Sequence, residues 1–338
     1  MRLRYRVMYS VLTLLSVVCT GCQIEAKKDP KVVFQNQKFQ AVFDRVKYIE
    51  HEDDFDFETI LPTQSQLNKM TALNLWFLKG EECSLEDLKK FPNLRGLYIE
   101  RANESVIQQV SEQKQLRALS IRVYEPTNMS LIGTMDQVKA LGISAPGVKA
   151  GEMDWSFIEN MGQLETLYIE AINLNDLSFL KSLPNLEHLV IEDVDIGDVS
   201  DIKALSEIKY LSIYNDSKNT YSQFMKNLCN MEQLEIHGLP QMNDLNFLKN
   251  MNKLTRLGIE DIGIEEIPEW FTVENYPSLV SLSVDDEISN TNRKIINRIL
   301  PILEERERNI EVPIKFHDIR MTFPRVLEYM TPVEAYDE

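Results

Sequence analysis

The chain has 338 residues, a formal net charge of −17 and four cysteines. A hydrophobic content of 43% suffices for a sizeable core and excludes wholesale disorder. Lys and Arg total 36 against 53 Asp and Glu, which argues against binding to nucleic-acid phosphates or anionic lipid surfaces, and four cysteines are too few for a disulfide-dense scaffold.

Arg2, Arg4 and Arg6 precede an apolar run from Val7 to Val18. This is the charged and apolar order of a secretory signal, and it is shorter than the ~20 residues of a spanning helix. Cys19-Thr20-Gly21-Cys22 follows and resembles a bacterial lipoprotein lipobox, with Gly21 before the cut and Cys22 as the first mature residue. The family usually has Leu where Cys19 stands. The resemblance implies a diacylglycerol on the Cys22 sulfur and acylation of its amine, and two or three acyl chains anchor far better than one. The alternatives are a plain cleaved signal and a C-x-x-C redox or metal pair, the latter opposed by its place at the end of a signal. Removing residues 1–21 removes three arginines and no acids, which takes the net charge from −17 to −20. Residues 22–33 are polar, contain lysines and Pro30, and read as a tether.

From residue 67 to 286 the pattern apolar-x-x-Leu-x-apolar recurs ten times, at spacings of 22 to 26 residues. Its central leucines are Leu73, Leu97, Leu119, Leu141, Leu167, Leu189, Leu211, Leu234, Leu257 and Leu282. Between them, Asp154-Trp155-Ser156-Phe157-Ile158, Asp176-Leu177-Ser178-Phe179-Leu180, Asp198-Val199-Ser200-Asp201-Ile202 and Asp244-Leu245-Asn246-Phe247-Leu248 are variants of one phrase. Its Asp is placed to accept hydrogen bonds from the first N–H groups of a helical turn. The array resembles a leucine-rich repeat protein, closest to the bacterial internalin-type class. That resemblance implies an α/β solenoid with a parallel sheet on the concave side and helical or 3₁₀ segments on the convex side. The family's asparagine after the strand is missing: the corresponding positions include Leu78, Ala102, Tyr124, Pro146, Ile172, Val194, Leu239 and Ile262. Stacked aliphatics are expected to replace it, and the backbone groups it would satisfy must find water or each other.

A solenoid needs covers at both ends. Residues 34–66 are the N-terminal cap, where Phe39, Val42, Phe43, Val46 and Ile49 resemble the amphipathic helix that opens many bacterial repeat proteins of this kind. Residues 287–316 are the C-terminal cap: Ile295, Ile296, Ile299, Ile302 and Leu303 recur at helical spacing around Pro301, and a closing strand is expected over 311–316. Residues 317–338 read as a tail.

Nucleotide-binding glycine loops, the G-x-S-x-G nucleophile turn and H-E-x-x-H are absent from the sequence, and histidines number four. Cys83 and Cys229 fall in the first and seventh repeats, too far apart to bridge. The acidic run from Glu50 to Glu58 lacks a calcium-loop pattern and reads as a solvated loop. Strand side chains alternate, so the residues flanking each strand leucine project onto the concave face. The expected protein-binding residues there are Trp76, Tyr98, Glu100, Arg122, Tyr168, Glu170, His188, Glu192, Tyr210, Tyr214, His237, Glu260 and Asp285. Exposed aromatics serve as anchors, and acids select a basic or neutral protein partner. A wall-polymer or glycan binder is the alternative, since Tyr and Trp stack on sugars. Neighbouring carboxylates such as Glu170 and Glu192 fit the ~5 Å spacing of a retaining glycosidase, but an open sheet does not enclose a substrate. No catalytic residue, metal or cofactor is expected beyond the covalent lipid. The expected state is a monomer, lipid-anchored to the cell membrane or the outer membrane and outside the cytoplasm, with no nucleic-acid partner.

Overall fold

The computed structural model describes residues 29–35, 45–48, 55–58, 61–75, 84–149, 151–198, 207–214, 225–226, 228–264, 266–284 and 290–308. Ten strands lie in one parallel sheet: β3 (Ala72–Leu75), β4 (Gly96–Ile99), β5 (Ala118–Arg122), β6 (Ala140–Ser144), β7 (Thr166–Glu170), β9 (His188–Glu192), β11 (Tyr210–Tyr214), β12 (Gln233–Leu239), β13 (Arg256–Ile262) and β14 (Ser281–Val284). They pair in chain order, and the register sets the ten repeat leucines side by side from Leu73 to Leu282. Leu97 through Leu257 have no exposed surface. Burying one such side chain stabilises by about 2 kcal/mol, and a one-residue slip would turn every leucine to the solvent face. The repeat arithmetic therefore fixes the register.

The opposite side of each coil is mostly a 3₁₀ turn, at 86–90, 132–134, 156–160, 178–182 and 246–250. Between β4 and β5 it is a helix, α2 (Glu104–Ser111), which follows the short α1 (Gln64–Asn68), and between β13 and β14 it is a run of turns. Three of the four phrase aspartates act as expected: Asp154, Asp176 and Asp244 accept from the N–H groups of Ser156, Ser178 and Asn246 at 2.9, 2.7 and 2.8 Å. The turn of the fourth phrase, after Asp198, lies outside the described residues. Phe157, Phe179 and Phe247 then turn into the core. After β7 and β9 the chain adds a second, two-stranded parallel sheet that the sequence did not announce, β8 (Asn173–Asp176) with β10 (Asp195–Asp198).

The missing asparagines are replaced in two places. At the strand exit, N–H groups of Ala102, Val123, Ala145, Ala171 and Asp193 donate to the last strand carbonyl of the next coil, at 2.9 to 3.2 Å. Ala102, Ile172, Val194 and Leu239 are buried there, as the aliphatic stack requires. At the strand entry, Asn93, Gln137, Gln163 and Asn185 each send a side-chain amide to a backbone carbonyl of the preceding coil: Asn68, Gln113, Val138 and Gly162. The amide ladder exists, on the turn before the strand rather than the turn after it.

At the N-terminal end, the helix expected on Phe39 to Ile49 is corrected where the structure describes it. Residues 45–48 are a strand, β1 (Arg45–Tyr48), paired antiparallel with β2 (Phe55–Glu58). Alternation of Val46 and Tyr48 with charged residues suits a strand as well as a helix, and pairing with 55–58 decides it. The same pairing makes the end of the acidic run strand rather than loop; Glu50 to Asp54 lie outside the described residues. The last part of the expected tether is docked: Lys31 bridges to Thr63 and Val32 N–H donates to the Pro62 carbonyl, and Phe34, the first residue of the expected cap, stacks on Phe91 at 5.9 Å. At the other end α3 (Asn290–Arg308) covers the last coil as expected and continues through Pro301. Ile296, Ile299 and Leu303 are buried, and Arg306 donates to the carbonyls of Tyr276, Leu279 and Val273. The expected closing strand, the tail, Cys22 and Cys83 lie outside the described residues. Cys229 is an exposed free thiol. Among the described residues no helix is long and apolar enough to cross a membrane.

Candidate functional site

Three columns of side chains run across the concave face, one from each outward position of the strands. In the register of the sheet the last column reads Glu100, Arg122, Ser144, Glu170, Glu192, Tyr214, His237 and Glu260. Trp76 and Asp285, at its two ends, lie outside the described residues.

The N-terminal half of this face is a closed network. Arg122 binds Glu170 through both carboxylate oxygens, at 2.8 and 2.7 Å, and Ser144 Oγ at 3.1 Å. Its other terminal nitrogen is 3.8 Å from Glu100, whose carboxylate also accepts from the hydroxyls of Tyr98 and Tyr124. Tyr168 donates to Glu192 at 2.6 Å.

Two expected anchors are corrected here. Tyr98 and Tyr168 are 3% and 1% exposed and belong to a second apolar cluster with Ala118, Ala140 and Val190. The middle column offers only Ser120 and Gly142 between them, so small neighbours leave room for the rings to lie down on the sheet. Burial and then Glu100 hold the Tyr98 hydroxyl well above its ordinary range. Burial and then the charges of Glu170 and Glu192 do the same for Tyr168. Both phenols stay protonated and serve as donors.

Glu170 and Glu192 are register partners, as the carboxylate-pair reading requires. Each is already engaged, one by Arg122 and the other by Tyr168. Burial, with Glu170 beside it, raises the Glu192 pKa against the opposing hydrogen bond from Tyr168. Among the described residues no group of three or more His, Cys, Asp or Glu could hold a metal ion.

The C-terminal half is built differently. His188 and Tyr210, partners on β9 and β11, hold their rings 4.2 Å apart. Tyr214 and His237, partners on β11 and β12, are 6.2 Å apart. All four remain partly exposed, as does Glu260. Glu235 is bound by Arg256 at 2.7 Å and by the Tyr214 hydroxyl at 3.2 Å, and Tyr210 donates to Glu232 at 3.3 Å. Burial and the Glu232 charge push the Tyr210 hydroxyl up to about 12. Tyr124, Ser144, Glu232 and Gln233 are not among the binding residues expected from the sequence. Their signal was the register: each lies on or beside a strand residue already singled out.

A model of the leucine-rich repeat region matches residues 72–299. No curated protein matches. Among solved structures, internalin C2 of Listeria monocytogenes is 19% identical, with a TM-score of 0.41 over 67% of this chain and 86% of its own. A leucine-rich repeat protein of Leptospira interrogans is 16% identical, with a TM-score of 0.44 over 66% and 62%. TLR13, solved as a complex with ssRNA13, is 15% identical, with a TM-score of 0.50 over 68% of this chain and 38% of its own.

Proposed function

Because the chain belongs to the leucine-rich repeat family, we propose that it is a binding protein that docks another protein on the C-terminal half of its concave sheet. The observation that carries this is the set of four partly exposed rings, His188, Tyr210, Tyr214 and His237, held in two packed pairs on adjacent strands. Rigid aromatic side chains lose little entropy on binding and supply large contact area. Glu192, Glu235 and Glu260 on the same face favour a basic or neutral partner over an anionic one. The closed network around Arg122 serves as a stiff neighbour to this surface. A scaffold role rather than catalysis is supported by the engagement of Glu170 and Glu192 with other side chains.

The protein works, in this reading, as a monomer held outside the cytoplasm on an envelope membrane by lipid at Cys22. The lipobox-like Cys19-Thr20-Gly21-Cys22 supports this, and the docked segment from Asp29 to Phe34 would place the first coil a short tether from the bilayer. Cross-linking on intact cells, followed by identification of the captured protein, tests both parts. Tyr210→Ala with His237→Ala should lower capture at least about tenfold, and undiminished capture would sink the concave-face assignment. Cys22→Ser should abolish labelling by a fatty-acid analogue and release the chain from membranes. Retention on purified wall material in high salt, instead of capture of a protein, would replace this reading with the glycan one.

A further inference from the structure

Among the described residues, two polar groups on the concave face are left unserved by its side chains. Ser212 and Gln233 lie on the neighbouring strands β11 and β12, on the same side of the sheet as Tyr210 and Tyr214. Ser212 has no exposed surface and Gln233 is 2% exposed. Ser212 Oγ and Gln233 Oε1 are both buried and find no hydrogen-bond partner among the described residues. Around them pairing is the rule, as in Arg256 with Glu235 and Tyr210 with Glu232. A buried hydroxyl or amide oxygen without a partner weakens the fold, and native proteins keep few of them.

Gln233 Oε1 can only accept and Ser212 Oγ can accept as well as donate, so one group with several donors serves both. Glu235 is the register partner of Ser212, Glu232 precedes Gln233 and Glu192 is the register partner of Tyr214, while Arg256, the register partner of Gln233, is bound to Glu235. Three acids against one cation leave the surroundings net negative, so a positive charge on that donor group is favoured. Tyr210 and Tyr214 flank Ser212 along the strand and remain partly exposed, offering ring faces. A planar cation with several N–H groups meets all three conditions: it stacks on a ring, carries charge and donates in more than one direction. An ammonium satisfies the charge but stacks poorly.

Resting on the concave-face reading, we propose that Ser212 and Gln233 form the floor, and Tyr210 and Tyr214 the walls, of a subsite for an arginine side chain of the partner protein. The rings turn aside as the guanidinium enters, a rotamer change of the kind common at interfaces.

The test uses the whole chain and blocked pentapeptides Gly-Gly-X-Gly-Gly, with X as arginine, lysine, citrulline or norleucine. The reporter is the Gln233 side-chain amide in an NMR spectrum, assigned through Gln233→Leu. The arginine peptide should shift this signal at the lowest concentration, lysine and citrulline should need more, and norleucine should leave it in place. Gln233→Leu should weaken arginine-peptide binding about tenfold while the melting temperature holds or rises, because an unpartnered polar group has been removed. Ser212→Ala should weaken it in the same direction. A Gln233 amide that ignores the arginine peptide, or responds equally to norleucine, overturns the subsite. A captured partner that depends on Tyr210 and His237 but not on Gln233→Leu also overturns it, and leaves the concave-face reading standing. Capture indifferent to Tyr210 and His237 overturns the concave-face reading itself.

Discussion

Arg122 reaches over strand β6 to bind both carboxylate oxygens of Glu170 on β7, at 2.8 and 2.7 Å. The two side chains are 23% and 19% exposed, so the pair is only partly screened by water. Glu100 and Glu192 lie nearby, so one guanidinium holds together a face that carries several carboxylates. Arg122→Met should therefore destabilise the chain by about 2–3 kcal/mol at neutral pH, because the acids it neutralises stay behind in a poorly hydrated place. Adding Glu170→Gln should recover much of that loss. Urea denaturation of the three variants checks this, and equal midpoints for the Arg122→Met variant and the parent would mean that the cluster holds without its cation.

The strand exits carry backbone strain that side-chain chemistry can relieve. Arg101, Ala171 and Asp193 follow Glu100, Glu170 and Glu192 where the strands end, Asp261 follows Glu260 within β13, and all four adopt φ of 51° to 54°. A left-handed conformation costs a residue with a Cβ about 1–2 kcal/mol, and glycine adopts it freely at a smaller entropic cost in the unfolded chain. Ala171→Gly should thus stabilise by about 0.5–1 kcal/mol, and Ala171→Val should destabilise by at least as much. Thermal melts of the two variants should bracket the parent; a glycine variant that melts lower would show that the turn is not strained.

The repeat leucines made the sheet legible, since a near-constant spacing with one obligatory apolar residue admits only one register. The phrase aspartates made the convex turns legible for a similar reason: Asp two residues ahead of a free N–H has one local use. The N-terminal cap was not legible, because a segment such as Arg45-Val46-Lys47-Tyr48 satisfies either period and only its partner at 55–58 decides. The site was legible by position and not by exposure. Alternation put Tyr98 and Tyr168 on the right face, but whether a tyrosine stands up or lies down depends on the size of residues one and two strands away, such as Ser120 and Gly142. Amide donors were sought after the strand and found before it, at Asn93 and Gln163, since an amide in a turn shows its acceptor only once the coils are stacked.

Glu192 supplies a pH signature. Burial, and then the like charge of Glu170, raise its pKa in the folded chain, while the bond from Tyr168 opposes the rise. With a folded value above the unfolded one, the folded state holds the proton longer. The contribution to stability is therefore present below the ordinary carboxylate range and is lost as pH rises through the folded value. Glu192→Gln keeps an acceptor for the Tyr168 hydroxyl and removes the charge. Its melting temperature should exceed the parent's near pH ~7, and the difference should shrink toward pH ~4. A gap that is constant with pH would assign the effect to packing instead.

Arg306 adds a polar fastening to the apolar C-terminal cover. Arg306 of α3 donates to three backbone carbonyls of the last coil, Tyr276 at 2.9 Å, Leu279 at 3.0 Å and Val273 at 3.1 Å. These carbonyls lie in the coil that leads into β14, the last strand of the sheet among the described residues, so the guanidinium stands in for a next repeat there. Arg306→Met keeps the helix propensity and the apolar stem but removes all three donors, and should cost about 2 kcal/mol. The loss should be local. Amides of α3 and of the 271–284 segment should exchange with solvent faster, while those of β5 to β9 keep their protection, because a solenoid coil contacts only its neighbours. Hydrogen exchange read by mass spectrometry resolves the two regions, and uniform acceleration along the sheet would show that the cap and the array unfold as one unit.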